Sequence, residues 1–365
     1  VAWDLPYHEL IELWTLGALL VGLGALPAGW LGDRWSASGM MVVFFLGLGA
    51  SGIVCGLVDG KLALLLGLAA IGLFSSIYHP VGIAWLVRNA KARGKALGVN
   101  GIFGSIGVAG AGLVAGALID LFGWRAAFIL PGAVSLATGL VLFACLRAGL
   151  IVERRADVAG GPRPSRGEML RVYLVLLLTM LVMGLIFQAT QAAMPKVFDL
   201  RLRDIAGEGT FGIGALVAAV YVIGGIMQIV GGHMADKFPL KPVYLGALSF
   251  QIPVLAGFAG LGGLPLIPVA MLTVLLSTAA LPAENMLLAR FTPERHRSLA
   301  FGVKFVLAFG TAPLALMMVS LIQERTGEFV WLFGALTGLA ALAALAAVML
   351  PGEGRSRPAP ALAAE

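Results

Sequence analysis

The chain has 365 residues, of which 59% are hydrophobic and 12% are charged, and its mean hydropathy is +0.96. Water-soluble domains contain about 45–50% apolar and about 25% charged residues, so this composition excludes an ordinary soluble protein. The net charge of +6 does not indicate nucleic-acid binding, because the basic residues lie in short gaps between apolar blocks and form no aromatic-interleaved patch. We therefore expect a protein that is embedded in a lipid bilayer and has no nucleic-acid partner.

Eleven apolar blocks are long enough to cross a membrane as helices, since a helix needs about 20 residues to span the hydrocarbon layer. In chain order the predicted spans are Trp14–Leu31, Gly39–Leu57, Leu62–Val87, Ala96–Ile119, Ala126–Leu146, Val172–Pro195, Gly209–Gly232, Pro242–Leu261, Leu264–Ala283, Phe305–Gln323 and Phe329–Leu350. Membrane β-strands are shorter and alternate in polarity. The blocks therefore predict an all-α membrane protein.

The distribution of basic residues predicts how the chain is oriented in the membrane. Eighteen of the 25 lysines and arginines fall in one alternating set of gaps and the tail, and six fall in the other set. The remaining one, Lys304, lies inside the tenth span, which we expect to begin earlier than its apolar block, near Ser298. Basic loops face the cytoplasm. Residue 1 is therefore expected outside and residue 365 inside, with the protein in the cytoplasmic membrane.

A polar stretch near the middle predicts a division of the chain into two halves. It covers about residues 147–171 and contains the run Gly-Gly-Pro-Arg-Pro at 160–164, which is typical of a flexible linker. We predict an N-terminal helical half at 1–146, a cytoplasmic linker at 147–171, a C-terminal helical half at 172–351 and a disordered tail at 352–365.

The two predicted halves resemble each other at a nearly constant offset. The matches are Gly29–Arg34 with Gly232–Lys237, Pro80 and Arg88 with Pro282 and Arg290, and Ala96–Asn100 with Ala300–Lys304, at offsets of 203, 202 and 204 residues. Subtracting this offset from the sixth span places its counterpart ahead of residue 1. The repeat therefore predicts two pseudo-symmetric six-helix halves, with eleven of twelve helices present and the first one absent.

The loop after the first span resembles a family signature. Residues Gly29–Arg34 are similar to the Gly-x-Leu-Ala-Asp-Arg loop of the major facilitator superfamily, which recurs in degenerate form at Gly232–Lys237. Gly123-Trp124-Arg125 resembles a pattern at the start of that family's sixth helix, and Ser75–Pro80 resembles its fosmidomycin-resistance-like branch. The resemblance implies a secondary transporter for a small molecule, with protons as the coupling partner.

The sequence also departs from the family pattern. Trp35–Ser38 stands where the signature expects a glycine and two basic residues, and the glycine-rich fourth block has no Gly-Pro pair. The second departure weakens an assignment as a drug/proton antiporter.

Four charged residues form the predicted conformational latch: Asp33, Arg34, Asp236 and Lys237. In the family, this loop is taken to hold the outward-facing state closed at the cytoplasmic surface. A carboxylate at a helix end can face the N-terminus of a neighbouring helix, and an arginine can pair with an acid or a helix C-terminus. The alternative is an ordinary charged turn.

Ionisable residues inside the spans are costly in lipid and usually face a cavity or a partner. Glu284 and Lys304 lie at similar depth on consecutive spans, so they are expected to form an ion pair or to hold a proton and an anionic substrate. A purely structural pair is the alternative. His79 lies at a similar depth, and an unperturbed imidazole titrates near neutral pH, which suits proton coupling; a hydrogen-bonded structural histidine is the alternative. Asn100 occupies the repeat position of Lys304.

Two glutamines complete the predicted substrate and proton pathway. Gln188 and Gln191 are three residues apart, which places them on one face of the sixth span. They can contact substrate hydroxyls or carbonyls, or bond across helices. No nucleotide-binding loop, zinc spacing or nucleophile motif is present, so the sequence predicts no enzyme activity, no metal and no cofactor.

The sequence thus favours a secondary active transporter, proton-coupled and monomeric, with export slightly favoured. Uptake of a metabolite such as an organic acid or a sugar is a second transport hypothesis. A membrane sensor or assembly factor built on the same fold, without transport, is the alternative of another class.

Overall fold

Long apolar helices make up almost all of the chain that the structure describes. The structure is a computed structural model and describes residues 7–151, 165–206 and 210–352. No β-strand occurs within these ranges. Residues 152–164 of the predicted linker and 353–365 of the predicted tail lie outside the described residues, so those two predictions stay predictions.

Residues 7–151, here called the first helical segment, contain seven helices and one π-helical turn. They are α1 (Tyr7–Leu23), α2 (Ala25–Arg34), α3 (Ala37–Leu57), α4 (Lys61–Ser75), the π turn (Tyr78–Gly82), α5 (Ile83–Asn89), α6 (Arg93–Phe122) and α7 (Ala126–Arg147).

Residues 165–352, here called the second helical segment, contain the remaining helices. They are α8 (Arg166–Arg201), α9 (Arg203–Ala206), α10 (Thr210–Lys237), α11 (Leu240–Gly260), α12 (Leu266–Phe291), a 3₁₀ turn (Glu294–His296), α13 (Arg297–Gly310), α14 (Ala312–Thr326) and α15 (Val330–Val348).

The helices confirm the predicted all-α membrane architecture. Nine helical spans in the described residues are long and apolar enough to cross a bilayer, and a tenth is obtained if the bent pair α1–α2 is one span. The 30-residue helix α6 covers the predicted fourth span. Outward-facing apolar side chains such as Leu57, Leu62 and Phe103 are 64–70% exposed, as expected for contact with lipid. The count of eleven spans and the division into two halves stay predictions.

Three predicted spans are interrupted in the structure. The first bends by 41° between α1 and α2. The third contains the π turn around Pro80, which has no amide hydrogen and cannot continue the helical ladder. The tenth is divided at Thr311, and Pro313 lies in the first turn of α14. These breaks follow proline and glycine chemistry that the search for apolar blocks did not use.

Several helices extend beyond the predicted spans. Helix α8 continues past Pro195 to Arg201, and α12 continues past Ala283 to Phe291. Beyond Pro195, Asp199 pairs with Lys196 at 2.9 Å and with Arg203 at 3.0 Å. Charged residues end a membrane span but do not end a helix, so a charge-free block marks only the part of a helix inside the hydrocarbon.

Glycines bring the two helical segments into backbone contact at two crossings, α2 with α13 and α6 with α10. A Cβ atom on Gly232 would lie 2.1 Å from the carbonyl oxygen of Gly94, and one on Gly29 would lie 2.4 Å from that of Ser298. Real Cβ atoms do not approach this closely. Only glycine therefore allows these helices to pack as they do, and this packing positions the charged residues described next.

Candidate functional site

The carboxylate of Asp33 caps a helix of the other helical segment. Asp33 lies in the last turn of α2, and its two oxygens accept hydrogen bonds of 2.9 Å from the backbone amides of Ser298 and Leu299. Those amides belong to the first turn of α13, where backbone N–H groups have no partner inside the helix. The negative charge also faces the positive end of the helix dipole.

Asp236 makes the equivalent contact in the opposite direction. It lies near the end of α10, and its oxygens accept from the amides of Gly94 at 2.7 Å and Lys95 at 2.8 Å. These amides begin α6. The two repeat-related aspartates therefore each join one helical segment to the other, on the side of the membrane predicted to be cytoplasmic.

The two basic residues of the predicted latch lie at the surface. Arg34 is exposed, and its guanidinium carbon lies 5.2 Å from the centre of the Trp30 ring. Lys237 is exposed at the end of α10. The structure therefore brings the two aspartates, and not the two cations, to the contact between the segments.

A buried ion pair joins α12 to α13. Nζ of Lys304 lies 2.6 Å from Oε1 of Glu284, and the two residues are only 4% and 3% exposed. The hydroxyl of Tyr244 on α11 donates to Oε2 of Glu284 at 2.7 Å, and Oδ1 of Asn285 accepts from Lys304. Each charge thus has a second polar partner, which a buried ion pair needs to offset its loss of hydration.

His79 reaches this region from the first helical segment. It lies in the π turn, and its ring stacks on Phe305 with a centroid distance of 4.5 Å. The ring of Phe305 lies in turn 5.8 Å from Nζ of Lys304. The phenyl ring of Phe305 therefore lies between the imidazole of His79 and the ion pair. Because His79 belongs to the first helical segment and Phe305 to the second, their stacking joins the two segments.

The other predicted pathway residues lie apart from the ion pair. Asn100 accepts a hydrogen bond of 2.6 Å from the hydroxyl of Tyr78, which joins α6 to the π turn within the first segment. Gln188 is half-buried and Gln191 is exposed on α8. The structure does not place either glutamine in the Glu284–Lys304 network.

Three members of the network were not among the predicted residues: Tyr244, Asn285 and Phe305. Tyr244 lies in the predicted eighth span and is fully buried, and a phenol within an apolar block needs a hydrogen-bond partner. Asn285 follows Glu284 directly in the sequence. Both signals are present in the chain, but neither residue carries a charge, and the search in the spans gave most weight to charges.

Replacing Tyr244 with phenylalanine is expected to lower the free energy of unfolding by about 1.5–3 kcal/mol, the range for a hydrogen bond to a charged group. Tyr173→Phe is the matched control, because its hydroxyl donates to the neutral hydroxyl of Thr292. We expect the control to lose only about 0.5–1.5 kcal/mol. Reversible unfolding in mixed micelles measures both losses, and equal losses would contradict a charged partner for Tyr244.

Among the described residues, no group of three or more His, Cys, Asp or Glu side chains could hold a metal ion. Glu284 and Lys304 are instead paired with each other, and Asp33 and Asp236 accept hydrogen bonds from backbone amides. This arrangement can move protons, bind an ion or change partners.

The sequence profile of the Major Facilitator Superfamily matches residues 5–279. The multidrug resistance protein B homolog of Mycobacterium tuberculosis is 24% identical over 295 residues, which cover 73% of this chain and 52% of that protein. The multidrug resistance protein MdtG of Dickeya zeae is 26% identical over 263 residues, covering 69% and 63% of the two chains. The chain thus spans about half the length of the first relative and under two thirds of the second.

Solved structures share the fold. The E. coli fucose:proton symporter FucP superposes with a TM-score of 0.75 at 13% identity, covering 94% of this chain and 91% of that chain. The proton:xylose symporter XylE has a TM-score of 0.70 at 14% identity, with coverage of 92% and 85%. At these identities the likeness shows a common fold and nothing about substrate.

Proposed function

The chain belongs to the Major Facilitator Superfamily, and we propose that it is a secondary active transporter that moves a small organic molecule across the cytoplasmic membrane by alternating access. The paired contacts of Asp33 and Asp236 carry this proposal. Each consists of two hydrogen bonds to the start of a helix in the other segment. Such contacts form in one packing of two helical halves and break in another, as rocking of the halves requires.

In this proposal the structure corresponds to a state closed on the cytoplasmic side. Asp33, Asp236 and the close glycine crossings lie on the side that the basic loops predict to be cytoplasmic. Arg34 and Lys237 then interact with solvent or lipid in this state. The division at the linker, with halves at 1–146 and 172–351, is part of the same proposal, as is the fosmidomycin-resistance-like branch.

Proton coupling is proposed to act through Glu284, Lys304 and His79. The ion pair is buried and satisfied, so separating its charges requires a replacement partner for each. A proton can neutralise Glu284, and an anionic substrate can take its place beside Lys304. His79 is proposed to exchange protons near this pair. Asn100, Gln188 and Gln191 are proposed to contact substrate in other steps of the cycle.

Export of a drug-like compound is the favoured direction, because the two sequence relatives are named multidrug resistance proteins. Uptake of an organic acid or a sugar is the second candidate, and the cationic side chain of Lys304 supports an anionic substrate. The fold neighbours named as sugar symporters have too little sequence identity to decide between the two.

Flux across proteoliposomes under an imposed pH gradient tests the proposal. We expect the purified protein to accumulate at least one compound from a panel of drugs, organic acids and sugars when a gradient is applied. Absence of flux for every compound, with the protein folded and inserted, would favour the sensor or assembly hypothesis instead.

Glu284→Gln is expected to abolish gradient-driven accumulation while leaving exchange of substrate without a gradient. Glutamine keeps the shape and accepts from Tyr244 but cannot exchange a proton. The matched control is Glu324→Gln, which changes an exposed carboxylate on α14 and is expected to retain coupling. Accumulation that persists in Glu284→Gln would remove Glu284 as the proton carrier.

A further inference from the structure

Aromatic rings surround His79 at the contact between the two helical segments. Besides Phe305, the imidazole contacts the ring of Tyr78 at a centroid distance of 5.2 Å and that of Phe309 at 5.7 Å. The rings of Phe305 and Phe309 also stack on each other, with their centroids 5.9 Å apart. The hydroxyl of Tyr78 donates to Asn100 within the first segment, away from the ion pair. None of these aromatic neighbours therefore connects the imidazole to the ion pair by hydrogen bonds.

The exposure of one face of α13 increases along the helix. Phe301, Phe305 and Phe309 are spaced four residues apart, so they lie on roughly the same face. Phe301 is fully buried, Phe305 is half-buried and Phe309 is 37% exposed. Helix α13 begins with the amides that Asp33 caps, so its first turn lies at a closed part of the contact. Phe305 therefore lies between a closed level and an accessible level of the same contact.

The ion pair is less accessible than the imidazole. Lys304 and Glu284 are 4% and 3% exposed, whereas His79 is half-buried. His79 lies close enough to Lys304 for the charge of Lys304 to act on it. Within the part of the chain that the structure describes, no hydrogen bond joins His79 to either member of the pair. The phenyl ring of Phe305 occupies the space between these groups.

A phenyl ring at this position blocks both ways in which a proton passes between two side chains. Direct transfer requires heavy atoms about 2.6–3.2 Å apart, and indirect transfer requires a bridging water. A water molecule occupies a small cavity only where polar groups line it, and the ring of Phe305 fills this space with carbon atoms. Removing the ring would leave a void between an imidazole and an ammonium group, which water can enter and bridge.

We propose that Phe305 is a barrier that prevents a proton on His79 from reaching Glu284 while the contact between the helical segments is closed. This inference rests on the proposed function, in which these two residues exchange the coupled proton. Because His79 and Phe305 belong to different segments, rocking of the segments separates their rings and admits water between them. An N–H bond of the imidazolium then breaks and an O–H bond forms on Glu284, which leaves two neutral groups. Lys304 keeps its hydrogen bond to Asn285.

Proton entry into proteoliposomes without any substrate tests this barrier. A pH-sensitive dye sealed inside reports the initial rate of acidification after an external acid pulse, and potassium with valinomycin holds the membrane potential at zero. Phe305→Ala is expected to raise this rate about tenfold or more above that of the unmodified protein, because a rate rises exponentially as its barrier falls. Phe305→Leu keeps the space apolar and is expected to remain as impermeable to protons as the unmodified protein.

The matched control is Phe309→Ala, which removes the same ring one helical turn away and leaves Phe305 in place. We expect no increase in proton entry for this variant. Combining Phe305→Ala with His79→Leu is expected to abolish the leak, because no imidazole then supplies the proton. Phe305→Gln fills more of the space than alanine and adds polar atoms, so it should also leak, and it replaces Phe305→Ala if the alanine variant does not fold.

Three results would overturn the barrier: no leak when Phe305 is replaced by alanine or glutamine, an equal leak in Phe309→Ala, or a leak that persists without His79. None of these measurements uses a transported compound. A protein that transports nothing in the panel but leaks protons in Phe305→Ala would contradict the proposed function and support the barrier. A protein that accumulates substrate but stays impermeable to protons in Phe305→Ala would do the reverse.

Discussion

Replacing Lys304 with methionine is expected to lower the free energy of unfolding by about 3–5 kcal/mol, the loss observed when one partner of a buried ion pair is removed. Methionine keeps the length of the side chain but leaves the carboxylate of Glu284 without a counter-charge. Glu284 is 3% exposed, so water cannot replace the missing partner. Reversible unfolding in mixed micelles measures the loss.

The double variant Glu284→Gln with Lys304→Met is the decisive control. It removes both charges and keeps an acceptor for the hydroxyl of Tyr244, so we expect it to recover most of the stability that Lys304→Met loses. Replacing a whole buried pair with neutral groups is often neutral or stabilising. If the losses of the two single variants simply add in the double variant, the pair has no coupling and the interpretation is wrong.

The fold could be predicted because membrane insertion constrains the length and the apolar character of consecutive segments along the chain. A bilayer requires apolar blocks of a fixed length with internally bonded backbones, and the sequence displays them directly. The boundary between the predicted spans ending at Leu261 and beginning at Leu264 is close to the observed one, since α11 ends at Gly260 and α12 begins at Leu266. The ends of the helices were predicted less accurately; α8, for example, continues six residues past the predicted end at Pro195. An apolar block reports the thickness of the hydrocarbon layer, and a helix can be longer than that layer is thick.

For the candidate site, the sequence predicted how deep each residue lies in the membrane but not which residues contact one another. Counting helical turns from a membrane boundary placed Glu284 and Lys304 at one level, and the structure pairs them. Depth does not specify how each helix is rotated about its own axis. The stacking of His79 on Phe305 and the exposure of Gln191 depend on that rotation, which is set by contacts with other helices.

Long-range backbone contacts were the least predictable part. The repeat identified Asp33 and Asp236 as equivalent residues, but their partners Ser298 and Gly94 are 265 and 142 residues away in sequence. A backbone amide has no signature in the sequence. The glycines that allow the crossings were visible, but a glycine at a helix contact and a glycine facing lipid look the same in a single sequence.

Gly232→Ala is expected to shift the protein away from the state closed on its predicted cytoplasmic face. The added methyl group would lie 2.1 Å from the carbonyl oxygen of Gly94, so α6 and α10 must move apart. Overpacking of this kind costs about 1–3 kcal/mol, which changes a two-state equilibrium about fivefold or more. A cysteine introduced at the second crossing, Ser298→Cys, reports the change, because Ser298 is fully buried.

The measurement is the rate at which a membrane-impermeant thiol reagent labels this cysteine in inside-out vesicles, with Cys55 and Cys145 replaced by alanine. Gly246→Ala is the matched control, since it makes the same change within helix α11 where a Cβ meets no neighbour. Both substitutions favour the helix by about 1 kcal/mol, so only the clash distinguishes them. Labelling should rise in Gly232→Ala alone, because the two crossings open together if the segments move as rigid bodies. Equal labelling in both variants would mean that the α6–α10 crossing and the α2–α13 crossing separate independently. That result would contradict the proposal that the two helical segments move as rigid bodies.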